Sequence, residues 1–471
     1  MINNKNQGGL NLMYDIGILG GGPGGYVAAI RAARLGAKVV LIEKDTIGGT
    51  CLNRGCIPTK AMLASTGVLA NIKRSSEFGI NVDSYQIDFG KIMERKDAVV
   101  KQLTGGVSSL LDFHKVTVIK GDGKLTSTTE ITVNKEDGSV DKVEAKNIII
   151  ATGSESATIA ALGYNGKTVV TSKEILELKE MPSSLLIVGA GVIGCEFAMI
   201  YAELGIPVTM VEAEARILPM IDEEISKRFA LLLKKKKIGI QTGVMVEKVT
   251  DGPNGVDVSL NNGKTLNAGM VLIGIGRTLN SKGIGLENVG VEVGPRGEVV
   301  TDEYLQTSVS NIYAIGDVDN RVLLAHAASV QGNQVVENII KGTKGIPDIV
   351  DVPSCIYTSP EIASIGLTEK EAAEKGPIKV GKFPFSACGK ALCIGEKDGF
   401  VKIITDANTD KILGAHILGP HATDLIAELV LAVRKGLTAE DIAKTIHAHP
   451  TISESIMEAA EAVHGLATHT L

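Results

Sequence analysis

Cys51 and Cys56 stand with four residues between them in the run Gly48-Gly49-Thr50-Cys51-Leu52-Asn53-Arg54-Gly55-Cys56-Ile57-Pro58-Thr59-Lys60. Such a pair admits three chemistries. A zinc site needs two further ligands at suitable spacing, and none flanks this run. Two inert buried thiols are the second reading. The third is a dithiol/disulfide couple, which a helix N-terminus and nearby cations would favour by stabilising the thiolate. The chain has six cysteines in 471 residues, too few and too scattered for a disulfide framework, so a close pair points to catalysis or metal rather than scaffolding.

His449 and Glu454 form the second constellation. Five residues of separation around Pro450 let the carboxylate turn back to the imidazole, which selects one tautomer and raises its basicity. A base that works near neutral pH is what a dithiol needs before it attacks a disulfide. A structural histidine is the plain alternative, and His447 reads that way. His464 and His469 lie in a tail with no assigned role.

The elements that must position these groups announce themselves by a repeat. A short apolar strand from Tyr14 to Leu19 leads into Gly20, Gly22 and Gly25, then a helix ending near Leu35, then a strand ending in Glu43. The same order recurs from Leu185 to Val188 through Gly189, Gly191 and Gly194 to Glu212. Each acid falls 23 residues after its first glycine. An isolated GxGxxG is weak evidence. Between a strand and a helix, with an acid closing the next strand, it places a pyrophosphate on a helix N-terminus and a ribose hydroxyl on the carboxylate. Two such units imply two dinucleotides, a flavin and a nicotinamide.

Between the repeats, the pattern predicts a helix over 88–112 and short strands over 115–134 with turns at Gly121 and Gly123. A buried strand then ends in Ala151, Thr152 and Gly153, which would let backbone approach a cofactor; a plain exit into a loop is the alternative. Strands over 270–275 and 312–315 follow, the latter delivering Gly316 and Asp317. That acid suits a ribityl or pyrophosphate contact or, more soberly, a helix cap. From about Asp351 the alternation of strands and helices predicts an α+β unit.

Net charge near −6 and the absence of Trp leave little purchase on phosphate backbones, so no nucleic acid partner is expected. No run approaches a membrane span, and the polar start lacks a signal's apolar core, which predicts no membrane segment and a cytoplasmic protein.

With these motifs in hand, the chain resembles the pyridine nucleotide-disulfide oxidoreductases from about Tyr14 to its end, most closely those that oxidise dihydrolipoamide. The most specific pieces are the runs 49–60, 189–196, 314–318 and His447-Ala448-His449-Pro450-Thr451-Ile452-Ser453-Glu454. The resemblance implies an α/β fold with two Rossmann-like dinucleotide-binding domains and a C-terminal α+β dimerisation domain. The expected segments are a flexible extension (1–12), the FAD-binding domain in two parts (13–150 and 280–350), the NAD-binding domain (151–279) and the dimerisation domain (351–471). It further implies that Cys56 faces the flavin while Cys51 exchanges with substrate, and that Lys60 pairs with Glu196 beside the flavin. Taken alone, each of those two could be a surface charge. The remaining FAD contacts implied are Gly123, Thr152, Gly153, Ser154, Asp317, Leu323, Leu324, Ala325 and His326, with Val246 and Gly276 on the NAD side. In the family the His449/Glu454 pair serves the other subunit, so a homodimer is expected, with a lipoylated acyltransferase of a 2-oxo acid dehydrogenase complex or the lipoylated H protein of glycine cleavage as partner.

Glu212 would repel a 2′-phosphate, which favours NAD over NADP; Arg216, four residues on, reads as an exposed salt-bridging residue. Cys388 and Cys393 repeat the spacing of the first pair where the family uses no cysteines, and free thiols are expected there, with an accessory disulfide as the sharper alternative. An NAD(P)H-dependent disulfide reductase and a non-catalytic redox-sensing flavoprotein are the rival functions.

Overall fold

A computed structural model describes residues 13–252 and 255–470. The expected extension at 1–12 lies outside the described residues. The chain divides into two compact units: the first takes the chain up to Pro58, Arg95–Ser156 and Gly276–Ile349, the second Thr59–Glu94, Ala157–Ile275 and Val350 onward.

In the first unit, strands Thr117–Lys120, Val39–Glu43, Tyr14–Leu19, Val140–Ile150 and Ile312–Ala314 form a parallel sheet in that order. The strand Val140–Ile150 serves two pairings. Its first half runs antiparallel to Glu130–Asn134, and its second half, Ala145 to Ile150, lies between Tyr14–Leu19 and Ile312–Ala314. Ile148, Ile149 and Ile150 are wholly buried, as a strand covered on both faces requires. Helix Pro23–Arg34 packs on helix Ala325–Lys341 through small residues, and a Cβ at Gly332 would come within 2.8 Å of the Gly24 carbonyl oxygen.

The second unit holds a parallel sheet ordered Gly239–Thr242, Val208–Glu212, Leu185–Val188, Met270–Ile273, Val169–Val170. A separate antiparallel sheet is ordered Ser354–Ile356, Glu361–Gly366, Ile412–Gly419, Phe400–Asp406, Ile378–Pro384. Helices Ala422–Lys435 and Glu454–Val463 bury their apolar faces on it. The α/β architecture is therefore the expected one. Helix Phe89–Phe113 stands where the pattern predicts one, and strands Phe400–Asp406 and Ile412–Gly419 belong to the α+β unit expected from about Asp351.

One local expectation is corrected, and strands stand in two places where none was expected. Gly123 is no turn but the second residue of strand Asp122–Leu125; a side chain there would collide with Leu19 and Ile42, so the glycine marks close packing. The meander Val246–Gly252, Gly255–Leu260, Thr265–Ala268 was hidden by its polar, Gly-rich composition. Strand Ile378–Pro384 carries Gly381, whose missing Cβ admits the backbone of helix Glu454–Val463 at Ala459, and Pro384 at its end, both of which read as breaks.

Candidate functional site

The two glycine turns are built alike. Gly20 and Gly189 sit at φ 108° and 98°, a region open mainly to glycine, and a Cβ at Gly189 would lie 2.5 Å from the Gly274 carbonyl oxygen. At Gly25 and Gly194 a Cβ would fall on the carbonyl oxygens of Gly20 and Gly189. Glu43 accepts from the Gly21 N–H at 2.7 Å and the Asp45 N–H at 2.7 Å; Glu212 accepts from the Ala190 N–H at 2.6 Å and the Glu214 N–H at 2.9 Å. Each acid is thus fixed at the mouth of its turn before any ligand arrives. Burial pushes the Glu43 carboxyl up, outweighing the hydrogen bond from Gly21. Gly22 and Gly191 stand at the N-terminal ends of helices Pro23–Arg34 and Val192–Glu203, neither of which has a side-chain cap. Their first-turn amides are open to a phosphate.

The first unit has further features of a cofactor cradle. The buried Thr152 Oγ1 finds no hydrogen-bond partner among the described residues, a group waiting for an acceptor or donor. Ser154 donates to Asp317 and receives Arg277, whose Nε reaches Ser154 Oγ at 3.0 Å and whose Nη2 reaches the Ser154 carbonyl at 2.6 Å. Burial lowers the Arg277 pKa, with Asp317 and Cys56 pulling it back. Residues Leu323 to His326 enter helix Ala325–Lys341, which is tied to the first glycine helix by Ser329 donating to the Pro23 carbonyl. The residues expected to hold a flavin dinucleotide fit one: an open turn of amides, an acid for a ribose, and an unpaired hydroxyl at a strand end. Arg277 was not singled out from sequence, although it directly follows Gly276; its role depends on the antiparallel pairing of Arg277–Leu279 with Ser154–Ser156. Behind Asp317, Asp319 is buried against Gln331, which donates to it at 2.8 Å, and burial raises its carboxyl to about 6.

The cysteines follow in the same unit. Gly48 donates to the Gly21 carbonyl at 2.8 Å, and a Cβ at Gly49 would stand 2.7 Å from Gly22 Cα, so helix Gly49–Arg54, with Cys51, is pressed onto the first glycine turn. Thr50 donates to the Ser154 carbonyl at 3.4 Å. Cys56 is exposed and opens helix Cys56–Lys73. Among the described residues no cluster of His, Cys, Asp or Glu could hold a metal ion.

In the second unit Lys60 and Glu196, 136 residues apart, do meet: Nζ lies 2.8 and 2.9 Å from the two carboxylate oxygens. Glu196 is 4 % exposed. It follows Gly191 and Gly194 closely, on helix Val192–Glu203, and so is carried by the second glycine turn. Val246 opens the meander, whereas Gly276 belongs to the first unit. Arg216 is no exposed salt-bridge partner. Its guanidinium donates to the carbonyls of Leu218, Pro219 and Ile221 at 3.4, 2.6 and 2.7 Å, which commits it to its own loop.

His449 and Glu454 are paired as expected, Nδ1 to Oε1 at 2.8 Å. Burial works against the Glu454 charge, but the Thr451 N–H, at 2.8 Å, and the His449 ring hold its carboxyl below the ordinary range. His449 itself is 80 % exposed in its side chain. His447 is the structural histidine, bound to Glu428 and to the Thr445 carbonyl. His469 turns back onto Glu458, which raises its pKa. Cys388 is buried, its thiol donating to the Thr451 carbonyl at 3.6 Å, while Cys393 is exposed at the end of helix Gly389–Cys393; both are free thiols.

The family described as pyridine nucleotide-disulphide oxidoreductase matches residues 14–332, and its dimerisation domain matches residues 352–460. A dihydrolipoyl dehydrogenase of Bacillus subtilis is 46 % identical over 470 residues, covering 97 % of this chain and 99 % of its own. One from Chlamydia muridarum is 43 % identical over 96 % of this chain and 97 % of its own. Among solved structures, LpdA from Mycobacterium tuberculosis superposes with a TM-score of 0.90 at 29 % identity, over 96 % of this chain and 99 % of that one. The flavoprotein disulfide reductase RclA of Escherichia coli, as its Cu(II) complex, gives 0.87 at 29 % identity over 96 % and 99 %. The chain belongs to the pyridine nucleotide-disulphide oxidoreductase family.

Proposed function

We propose that this protein is a dihydrolipoyl dehydrogenase, which oxidises protein-bound dihydrolipoamide to lipoamide through a Cys51/Cys56 disulfide and FAD and reduces NAD+ to NADH. The observation that carries the reading is the duplicated glycine turn with its pre-bonded acid, the first copy of which holds the Cys51 helix against itself. Residues 13–150 and 280–350 are assigned to FAD, 151–279 to NAD and 351–471 to dimerisation.

His449 accepts the proton of one dihydrolipoyl thiol, and Glu454 holds the imidazole in the tautomer that can take it. The thiolate attacks Cys51 Sγ, breaking its bond to Cys56 and leaving Cys56 as thiolate. The second substrate thiol displaces Cys51 from the mixed disulfide, which completes lipoamide and leaves both cysteines reduced. FAD, when bound, supplies the two-electron relay from this dithiol to NAD+. Glu212 takes the hydroxyls of an unphosphorylated ribose, and the engagement of Arg216 with its own loop argues against a 2′-phosphate.

The outward-facing His449 and the dimerisation domain support a homodimer in which each base serves the other subunit. The partner is a lipoylated acyltransferase of a 2-oxo acid dehydrogenase complex or a lipoylated glycine-cleavage carrier. Scattered cysteines suit a reducing cytoplasm; among the described residues no helix is long and apolar enough to cross a membrane. Steady-state oxidation of dihydrolipoamide with NAD+ tests the assignment: Cys51→Ser should abolish it and His449→Gln should lower it by about 10²–10⁴. Flavin reduction by NADPH but not by NADH would overturn it.

A further inference from the structure

Glu196 accepts a third hydrogen bond besides the two from Lys60 Nζ. The backbone N–H of Tyr357 reaches Glu196 Oε1 at 3.0 Å, and the Tyr357 ring lies under the same ammonium, 4.5 Å from Nζ to the centroid. Tyr357 directly follows strand Ser354–Ile356, so one residue at the end of a strand of the C-terminal sheet grips both members of a pair contributed by two helices. All of these residues belong to the second unit.

The pair needs such a grip. Lys60 and Tyr357 line a cavity of about 350 Å³ that Glu203, Glu361 and Glu396 also line. A lysine is a point charge on a flexible stem, and here it has both room to swing and other carboxylates to swing towards. Those carboxylates are engaged, Glu203 with Lys73 and Lys236, Glu396 with Arg74, and Glu361 with Thr423, yet each remains an acceptor. An aromatic face attracts a cation and accepts nothing in exchange. It therefore favours the ammonium beside Glu196, where ring and carboxylate are both in reach.

We propose that Tyr357 is a positioning residue, whose ring holds the Lys60 ammonium on Glu196 and whose backbone holds Glu196 for it. The inference rests on the reading, implied by the family resemblance, that this pair lies beside the flavin that NADH reduces. The ring acts through its π face, so its effect must track the electrostatics of the face rather than the shape of the side chain.

The test replaces Tyr357 by phenylalanine and by its mono-, di- and trifluoro analogues in the full-length, FAD-loaded protein. Fluorination withdraws charge from the face and barely alters the shape. Two quantities are read: the rate at which an amine-acylating reagent modifies Lys60, followed by mass spectrometry, and the rate of anaerobic flavin reduction by NADH. Along the series, acylation should quicken by about two- to fivefold and reduction by NADH should slow by a similar factor. Tyr357→Phe should recover most of what Tyr357→Leu loses. Flat profiles across the fluorinated series, with Lys60→Gln impaired in reduction by NADH, would overturn the role of the ring and leave the reading of the pair intact. If Lys60→Gln reduces as fast as the parent protein, the reading beneath fails instead.

Discussion

Removing one partner of the Lys60–Glu196 pair should destabilise the protein unequally, depending on which partner goes. Glu196 is 5 % exposed in its side chain and Lys60 28 %. In Lys60→Met the carboxylate keeps only the Tyr357 N–H of its three hydrogen bonds, and a stranded buried charge costs about 3–5 kcal/mol. In Glu196→Gln the ammonium, already partly in solvent, can turn outward. That loss is closer to one charge-assisted hydrogen bond, about 1.5–3 kcal/mol. The expected difference is about 2 kcal/mol, and the double variant Lys60→Met/Glu196→Gln should be more stable than Lys60→Met alone. Urea unfolding of FAD-loaded protein at fixed protein and FAD concentration measures it, since bound ligand adds to apparent stability. Equal losses in the two single variants, or a double variant worse than Lys60→Met, would refute the argument.

Gly25→Ala and Gly194→Ala place a methyl on equivalent carbonyl oxygens, but the first should empty the protein of flavin while the second should weaken NADH binding with the flavin absorbance retained; absorbance spectra and fluorescence titration separate the two. Burial holds Asp319 near 6 against an ordinary 3.8, so the folded state keeps a proton that the unfolded chain has lost between those values. Stability should therefore fall as pH rises from about 4 to about 6, by at most about 3 kcal/mol, and Asp319→Asn should flatten that part of a melting-temperature profile. Arg216→Ala should lower stability by about 1–3 kcal/mol through the lost carbonyl contacts and leave NADH preferred to NADPH; a gain or loss of preference in kcat/KM would show that Arg216 reads the ribose.

Several parts of this protein are decided by short stretches of chain. The glycine spacing determines both turns, because Gly20 and Gly189 need positive φ and Gly25 and Gly194 admit a carbonyl. The acid 23 residues on returns to the turn because strand, helix and strand of those lengths leave it nowhere else to go. His449 and Glu454 pair across five residues for the same local reason. Other parts were invisible until distant segments packed. Sequence offered no sign that Tyr357 would meet a pair formed by Lys60 and Glu196, that Arg277 would clamp Ser154 beside Asp317, or that Arg216 would spend its donors on its own loop. Backbone dihedrals and hydrogen bonds between near neighbours are written in residue type and spacing. Which side chains share a buried space, and so which charges must find partners there, is decided only when sheets and helices close on one another.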